Sequence, residues 1–199
     1  MASYSAIAAV GKAIVNLLED ASHTEFPQAQ FKLLQASDFT VNNSLPTPEG
    51  ASVYMYRAVV STQRRNLPPR TDQAGIRYKP SLPLDLYFMV TPWASNAEKQ
   101  LRLLGWVMRV IEDTPILPST LLNELEQNGT IFADGESVEL FYEPLNITDM
   151  SVLWENLKQV KVMPSATYVA RMVLLDSSTQ MQTYEPVQAR EIDFQEKTG

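Results

Sequence analysis

The feature that most constrains this chain is a strongly apolar strand followed almost at once by a strongly apolar helix. Residues 84–90 are nearly continuously apolar, a pattern typical of a strand that is buried on both faces of a sheet. Residues 95–113 then predict a helix, which Ser95 and Glu98 begin with a capping box and Pro115 ends. This pair predicts a sheet with the helix packed against it.

The predicted helix at 95–113 is apolar over most of its circumference and has only a narrow polar or small stripe. Such a helix must be covered on nearly all sides, so we expect it to be the central helix of the core. Gly105 in its middle costs about 1 kcal/mol relative to alanine, which predicts a close neighbour at that position.

Shorter patterns supply the rest of the predicted fold. The predicted helices are residues 3–21, 118–127 and a short one capped by Thr148, and the predicted strands are residues 31–34, 52–62, 137–145 and 166–176. Because strands and helices do not alternate strictly, we predict an α+β fold, a mostly antiparallel sheet with packed helices. A length of 199 residues suits one domain at 1–176, followed by a tail or arm at 177–199.

The least ordinary segment is residues 61–83, which is basic within an acidic chain. Five cations and one acid give residues 64–79 a net charge of +4; the whole chain carries −7, so the remainder carries −11. A connection of this length inside a domain is either functional or mobile. Two interpretations stay open: a flexible, solvated hairpin connection, or a basic arm that docks on an acidic neighbour.

The end of the chain and one tryptophan are the other predicted interface elements. Residues 184–199 hold four acids against Arg190 and Lys197, and they read as a frayed terminus, an edge strand or an arm that wraps a neighbour. Trp93 follows a proline at a strand end, whereas Trp106 and Trp154 lie within apolar runs and are expected in the core. The predicted interface residues are Arg64, Arg65, Arg70, Arg77, Lys79, Trp93, Tyr184, Glu185, Glu191 and Asp193.

The composition excludes most catalytic chemistry. The chain has no cysteine and one histidine, His23, which removes thiol nucleophiles, cysteine-bound metals and histidine relays. It has no glycine-rich phosphate loop, and its acidic balance disfavours nucleic-acid binding. We therefore expect no enzyme activity, no cofactor and no metal. No signal-peptide pattern and no apolar run of membrane-spanning length occurs, so we expect a cytoplasmic protein.

Two other functions stay open at this level. Carboxylate pairs such as Glu112 and Asp113 could serve a hydrolase or a small-molecule binding domain, which predicts a deep pocket holding an Asp or Glu with a shifted pKa. A cytoplasmic assembly adaptor or chaperone could instead bind a partner through residues 61–83 and remain monomeric.

One stretch of the chain has a recognisable order of motifs. The strand and the helix after it read Leu82-Pro-Leu-Asp-Leu-Tyr-Phe-Met-Val-Thr-Pro-Trp-Ala94 and Leu103-Leu-Gly-Trp-Val-Met-Arg-Val-Ile-Glu-Asp-Thr-Pro-Ile-Leu117. Tyr54 to Tyr56 precede them, and Leu140-Phe-Tyr-Glu-Pro-Leu145 follows. In this order and spacing, residues 5–176 resemble the tube-terminating cap protein of contractile injection systems, the phage-tail-like particles of the antifeeding-prophage and virulence-cassette type.

The resemblance implies the α+β fold of phage tail terminators and a purely structural role. Six copies are expected to form a ring on the last layer of the inner tube, where the ring blocks further subunit addition and anchors the end of the contractile sheath. The implied partners are other copies of this chain, the inner tube protein and the sheath protein, with no nucleic acid and no direct membrane insertion. Assembly is expected in the bacterial cytoplasm, within a particle that is then released or anchored to a membrane through other components.

Overall fold

The structure, a computed structural model, describes residues 4–40, 45–46, 48–64, 66–72, 74–124, 131–157 and 162–182. The helices are α1 (Ala6–Glu25), α2 (Ala97–Asp113), α3 (Ser119–Leu122) and α4 (Ile147–Asn156), with a short 3-10 helix at Ala36–Thr40. The strands are β1 (Gln30–Leu34), β2 (Gly50–Val60), β3 (Arg70–Thr71), β4 (Arg77–Tyr78), β5 (Leu82–Trp93), β6 (Ile116–Pro118), β7 (Ser137–Tyr142) and β8 (Ala166–Leu175). Of the helices among the described residues, none combines the length and the apolar character needed to cross a membrane.

Six strands form one sheet in the order β1-β2-β5-β8-β7-β6, and β3 pairs with β4 in a separate hairpin. Every neighbouring pair in the large sheet is antiparallel except β1 with β2, which run parallel. β5 lies between the long strands β2 and β8, so the strand that was predicted to be buried does lie in the middle of the sheet. The predicted α+β fold with a mostly antiparallel sheet is confirmed.

One face of the sheet is covered by α1 and α2. The stripe of α1 that points to the sheet carries Val10, Ile14 and Leu18, all fully buried. The other fully buried large side chains of this core are Leu103 and Ile111 of α2, and Val53, Leu86, Phe88, Leu117 and Tyr168 of the sheet or its edge. Each such side chain contributes about 1.5–3 kcal/mol by leaving water, so this core is the main source of stability.

The opposite face of the sheet holds a second, smaller core built around Trp154 of α4. The Trp154 ring is fully buried, with its centroid 5.7 Å from that of Phe39 and 6.4 Å from that of Trp93. Leu34 and Met89 complete the buried cluster from β1 and β5. Alternate residues of β5 therefore serve the two cores, as expected for a strand that is buried on both faces.

The prediction that residues 95–113 form the central, fully covered helix is wrong. Only Leu103, Val107 and Ile111 of α2 are buried, whereas Leu101 is 56% exposed and Met108 is 37% exposed. The reason is that α1, with small residues such as Ala9 and Ala13 on its buried face, packs across β1, β2 and β8. α2 packs against β5 and α1 and is buried on one side only. The capping box is also displaced, because Asn96 rather than Ser95 is the N-cap and its side chain accepts a hydrogen bond from the Lys99 N–H at 2.9 Å.

The two glycines that matter most differ in their surroundings. A Cβ atom on Gly50 would lie 1.9 Å from the carbonyl oxygen of Gln30, because β1 and β2 approach closely where they begin. A Cβ atom on Gly105 would meet no described atom within 4 Å. The close neighbour predicted at Gly105 is therefore not part of the described chain.

The pairing of β5 with β8 is irregular at one level. The register shifts between Leu84 and Leu86, and Met172 opposite has a φ of 58°, in the left-handed region that bulges use. The backbone N–H of Met172 donates to Oδ1 of Asp85 at 3.1 Å. The side chain of Asp85 thus replaces a ladder hydrogen bond that the bulge removes.

Several shorter elements differ from their predictions. The helix predicted at 118–127 is the single turn α3, whose end at Leu122 precedes residues 125–130, which lie outside the described residues. The cap of α4 is Asn146 rather than Thr148, with the Asn146 side chain accepting from the Asp149 N–H at 2.9 Å. β3, β4 and β6 were not predicted, since strands of two or three residues are too short to show a period.

Candidate subunit interface

The basic segment forms a hydrogen-bonded hairpin, which we call the arm (residues 61–81). Its turn is organised by Asp72, whose Oδ1 accepts from the backbone N–H groups of Ala74 and Ile76 at 2.9 Å each. The hydrogen bond from the Ile76 N–H, with smaller help from Tyr78 and Ala74, lowers the pKa of Asp72. These hydrogen bonds stabilise the turn between β3 and β4.

A short segment after β8 is hydrogen-bonded to the arm through a single β-bridge. Tyr78 forms a β-bridge with Gln180, the Lys79 N–H donates to the Thr179 carbonyl at 2.9 Å, and the Met181 N–H donates to the Arg77 carbonyl at 2.8 Å. Residues 179–181 thus extend the line of β8 beside β4, which leads into β5. This pairing crosses the predicted boundary at residue 176 and ties the first part of the predicted tail to the arm.

The predicted interface cations fall into two groups. Arg70 is held within the chain, because its Nε lies 3.6 Å from Oδ2 of Asp176 and its guanidinium lies 4.6 Å from the centroid of the Tyr78 ring. Arg64, Arg77 and Lys79 are exposed, and none of them forms an ion pair with another described residue. These three cations are available to a partner; the predicted interface residues outside the described ranges are Arg65, Tyr184, Glu185, Glu191 and Asp193.

Trp93 takes part in the packing of the subunit. Its ring lies half-buried in the second core, and its Nε1–H donates to the hydroxyl of Ser52 at 2.8 Å. Trp154 is fully buried, so its predicted core position is confirmed. Trp106 is only partly buried and packs against the first core, with its ring centroid 5.3 Å from that of Phe26 and 5.8 Å from that of Phe31. Trp93 therefore contributes to packing within the subunit, and its role at an interface stays a prediction.

The sheet has an open edge that sequence reasoning missed. β1 pairs only with Gly50–Tyr54 of β2, so no described strand pairs with the same side of β2 from residue 55 to residue 60. This open edge (residues 55–60) reads Met-Tyr-Arg-Ala-Val-Val, with Arg57 as its one charge. A long apolar edge with little charge is a template for pairing with another chain. The sequence shows that this run has a strong β propensity. It does not show which residues of the run have no strand paired with them on one side.

An apolar groove begins where β1 ends. It has a volume of about 550 Å³ and is open to solvent. Its walls are formed by α1, the end of β1, the start of the 3-10 helix at Ala36–Thr40 and the middle of β2. The lining residues include Ile7, Gly11, Leu33, Ala36, Asp38, Tyr54 and Met55. The groove therefore adjoins the start of the open edge.

The outer face of α2 is a second exposed apolar surface. Leu101, Gly105 and Met108 fall on one stripe of the helix, and both long side chains are more than a third exposed. Gly105 between them leaves a shallow depression in that stripe, since nothing described lies within 4 Å of its Cβ position. The stripe can receive a protruding side chain from another molecule.

The hydrolase alternative predicts a carboxylate with a shifted pKa in a deep pocket. Partial burial, with a smaller effect of Asp20, raises the pKa of Glu19, yet Glu19 lies on the exposed face of α1 and does not line the groove. Within the ranges that the structure covers, no group of three His, Asp or Glu side chains converges as a metal site. The shifted carboxylate in a deep pocket that a hydrolase would need is thus not supplied by Glu19.

The fold is similar to that of solved terminators of contractile injection particles. The cryo-EM structure of the PVC sheath/tube terminator in its extended state, from an extracellular contractile injection system, matches with a TM-score of 0.61 at 14% identity, over 96% of this chain and 64% of that one. The anti-feeding prophage tube-terminating cap matches with a TM-score of 0.48 at 15% identity, over 73% of this chain and 50% of that one. The predicted tail-terminator fold is confirmed, and this chain spans 64% of the length of the PVC terminator, less than two thirds.

The sequence itself settles the family. The family model described as the Pvc16 N-terminal domain matches residues 9–189, so this chain belongs to the Pvc16 N-terminal domain family. Among curated proteins, none matches the sequence.

Proposed function

We propose that this chain is a terminator cap of a contractile injection particle, forming a hexameric ring on the distal ends of the inner tube and the sheath. The observation that carries the proposal is the family match over residues 9–189, together with a fold shared with a sheath/tube terminator. The ring stops tube polymerisation and anchors the sheath, and its role is structural rather than catalytic. Its partners are other copies of itself, the tube protein and the sheath protein, during assembly in the cytoplasm.

The exposed surfaces described above suit a ring. A head-to-tail contact between identical subunits uses two different surfaces and closes when its rotation permits. The outer stripe of α2, with Leu101 and Met108, and the exposed cations of the arm are two such surfaces, one apolar and one charged. In a ring, the α2 stripe supplies buried apolar area, and the arm sets the register against an acidic surface through charge.

The role in the particle is tested by deleting the gene and restoring it. Deletion should yield tubes of irregular length or no stable particles, and the restored wild-type gene should return particles of uniform length. Electron microscopy of particles that carry a labelled copy should place the label at the end opposite the baseplate. Normal particles of normal length without the gene would contradict the proposal; a chain that stays monomeric and is absent from finished particles would favour an assembly adaptor instead.

The ring surface on α2 has a matched test. Leu101→Asp places a charge in the apolar stripe and should weaken subunit association by about tenfold or more, about 1.4 kcal/mol per factor of ten. Ser95→Asp adds the same charge to the same end of the helix at an exposed polar position, and it should leave association unchanged. Equal association of the two variants, measured by light scattering coupled to size-exclusion chromatography, would exclude this face from the ring.

A further inference from the structure

We propose that residues 183–199 of one subunit add a strand to the open edge of β2 in the next subunit of the ring. The inference rests on the proposed function for the existence of a ring, and it names the contact that links neighbouring copies. Three features of the described residues support it: the edge itself, the groove beside it and the place where the chain leaves the arm.

The open edge (residues 55–60) is built to accept a strand. Ala58 and Val60 are exposed, and Arg57 is the one charge that could discourage pairing. Natural proteins normally protect such an edge with charge, proline or a covering element. The register shift between Met55 and Arg57 is the only irregularity in its pairing with β5, and pairing continues regularly from Arg57 to Val60. Most of the edge can therefore continue the sheet.

The groove gives the added strand side-chain specificity. A strand that pairs with residues 55–60 continues the line of β1, because β1 stops at Leu34 opposite Tyr54. Alternate side chains of a strand point to opposite faces, so every second side chain near Met55 points toward the groove. The walls from Leu33, Tyr54 and Met55 accept apolar groups there. The tail offers such spacing, with Val187 and Ala189, and again Ile192 and Phe194, two residues apart.

The last described residues lie on the side of the sheet away from the open edge of the same subunit. Residues 179–181 pair with β4 and follow β8, so the described chain ends on the β8 side of β5, whereas the open edge lies on the β2 side. The seventeen residues after Gln182 span at most about 58 Å when extended at about 3.4 Å per residue. A head-to-tail neighbour brings its open edge to that side without any need for the tail to fold back over the arm.

The charges of the two partners are complementary. Residues 183–199 carry four acids and two cations, a net charge of −2. The open edge holds Arg57 as its one charged residue. The two segments therefore carry charge of opposite sign, which favours their association.

Photo-cross-linking on the full-length chain tests this contact. A photoreactive residue at Ala58, in rings assembled from an equal mixture of isotopically light and heavy subunits, should capture peptides from residues 183–199. Mixed-label cross-links should be as frequent as same-label ones, because neighbours are drawn at random. A photoreactive residue at Lys12, exposed on α1, is the control and should capture no tail peptide. Cross-links that join only equal labels, or that join Ala58 to another segment, overturn the inference.

A substitution pair separates this inference from the proposed function. Ile192→Asp should weaken ring association by tenfold or more, whereas Gln195→Asp, with the same change of charge three residues on, should not. Removal of residues 183–199 should weaken association at least as much as Ile192→Asp. Rings that form normally without the tail overturn the inference and leave the terminator role standing; a wild-type chain that forms no ring, alone or in particles, overturns both.

Discussion

The Nε atom of Arg70 lies 3.6 Å from Oδ2 of Asp176, so an ion pair joins the arm to the end of β8. Oδ1 of the same carboxylate accepts from the hydroxyl of Ser81 at 2.6 Å, so Asp176 contacts both the middle and the last residue of the arm. Both partners of the ion pair are largely shielded from solvent, with 24% and 14% of their side-chain surfaces exposed. Asp176 is therefore one point at which side chains of the arm are held to the end of β8.

Loss of this ion pair should loosen the arm without unfolding the subunit. Arg70→Ala removes the ion pair and the contact with the Tyr78 ring, and we expect thermolysin to cleave within residues 61–81 about tenfold faster, about 1.4 kcal/mol of local opening. Arg77→Ala removes an exposed cation of the same hairpin and should change the cleavage rate little. Equal rates for the two variants would show that Asp176 does not hold the arm.

The two glycines should respond to alanine in opposite directions. Gly50→Ala forces a Cβ atom against the Gln30 carbonyl and should lower the free energy of unfolding by about 3 kcal/mol, since β1 must move. The Cβ atom added by Gly105→Ala would contact no described atom. This substitution should raise the free energy of unfolding by up to about 1 kcal/mol, because alanine has the higher helix propensity. Urea unfolding of the two variants measures both. Destabilisation by Gly105→Ala would mean that an unseen neighbour already occupies the space above Gly105.

Stability should fall at alkaline pH because of a buried tyrosine. Burial, with the charges of Glu112 and Tyr142 in support, raises the pKa of Tyr168 to about 12. Between pH 10 and 12 the unfolded chain loses this proton and the folded chain keeps it, so the contribution present below pH 10 declines as pH rises toward 12. The loss is on the order of 2 kcal/mol. Tyr168→Phe should flatten this part of the unfolding profile, and an unchanged slope would contradict the assignment.

Charge on the arm should control assembly kinetics. The double variant Arg77→Glu with Lys79→Glu should slow association about tenfold at low ionic strength, and added salt should narrow the gap because it screens exposed charges. The control, Lys12→Glu with Lys99→Glu, makes the same change of charge on α1 and α2. Stopped-flow light scattering follows both. The arm cations would be excluded from the interface if salt did not change the difference in association rate between the variant and the wild type. Equal slowing by the control variant would exclude them as well.

The long elements of this fold were predictable from their local patterns. β2, β5 and β8 are long runs rich in β-branched and aromatic residues, and α1 repeats its apolar side chains at helical spacing, so local sequence determines each of them. The environment of α2 was not predictable. An apolar circumference shows that a helix needs covering, but it does not show whether the same chain or another one covers it, and Leu101 remains exposed in the subunit.

The candidate interface was predictable only as charge. The accumulation of cations at 64–79 marked the arm, yet nothing local distinguishes Arg70, which pairs with Asp176, from Arg77, which stays exposed. The partner of Arg70 is distant in sequence, and only the pairing of β5 with β8 brings the two together. The open edge likewise depends on where β1 stops, and residues 31–34 show no signal of how far they will pair.

The hydrogen bond from Met172 to Asp85 also governs how β5 and β8 can slide past each other. A one-residue slip normally exposes an apolar face, but β5 is apolar toward both cores, so polarity alone does not penalise the slip. Asp85 is the one charged residue of β5, and in a slipped pairing its carboxylate would lose the N–H that the bulge offers. Asp85 thereby favours one register of β5 against β8. Because the arm leads into β5 and its Arg70 pairs with Asp176 at the end of β8, that register also determines where the arm lies along the sheet.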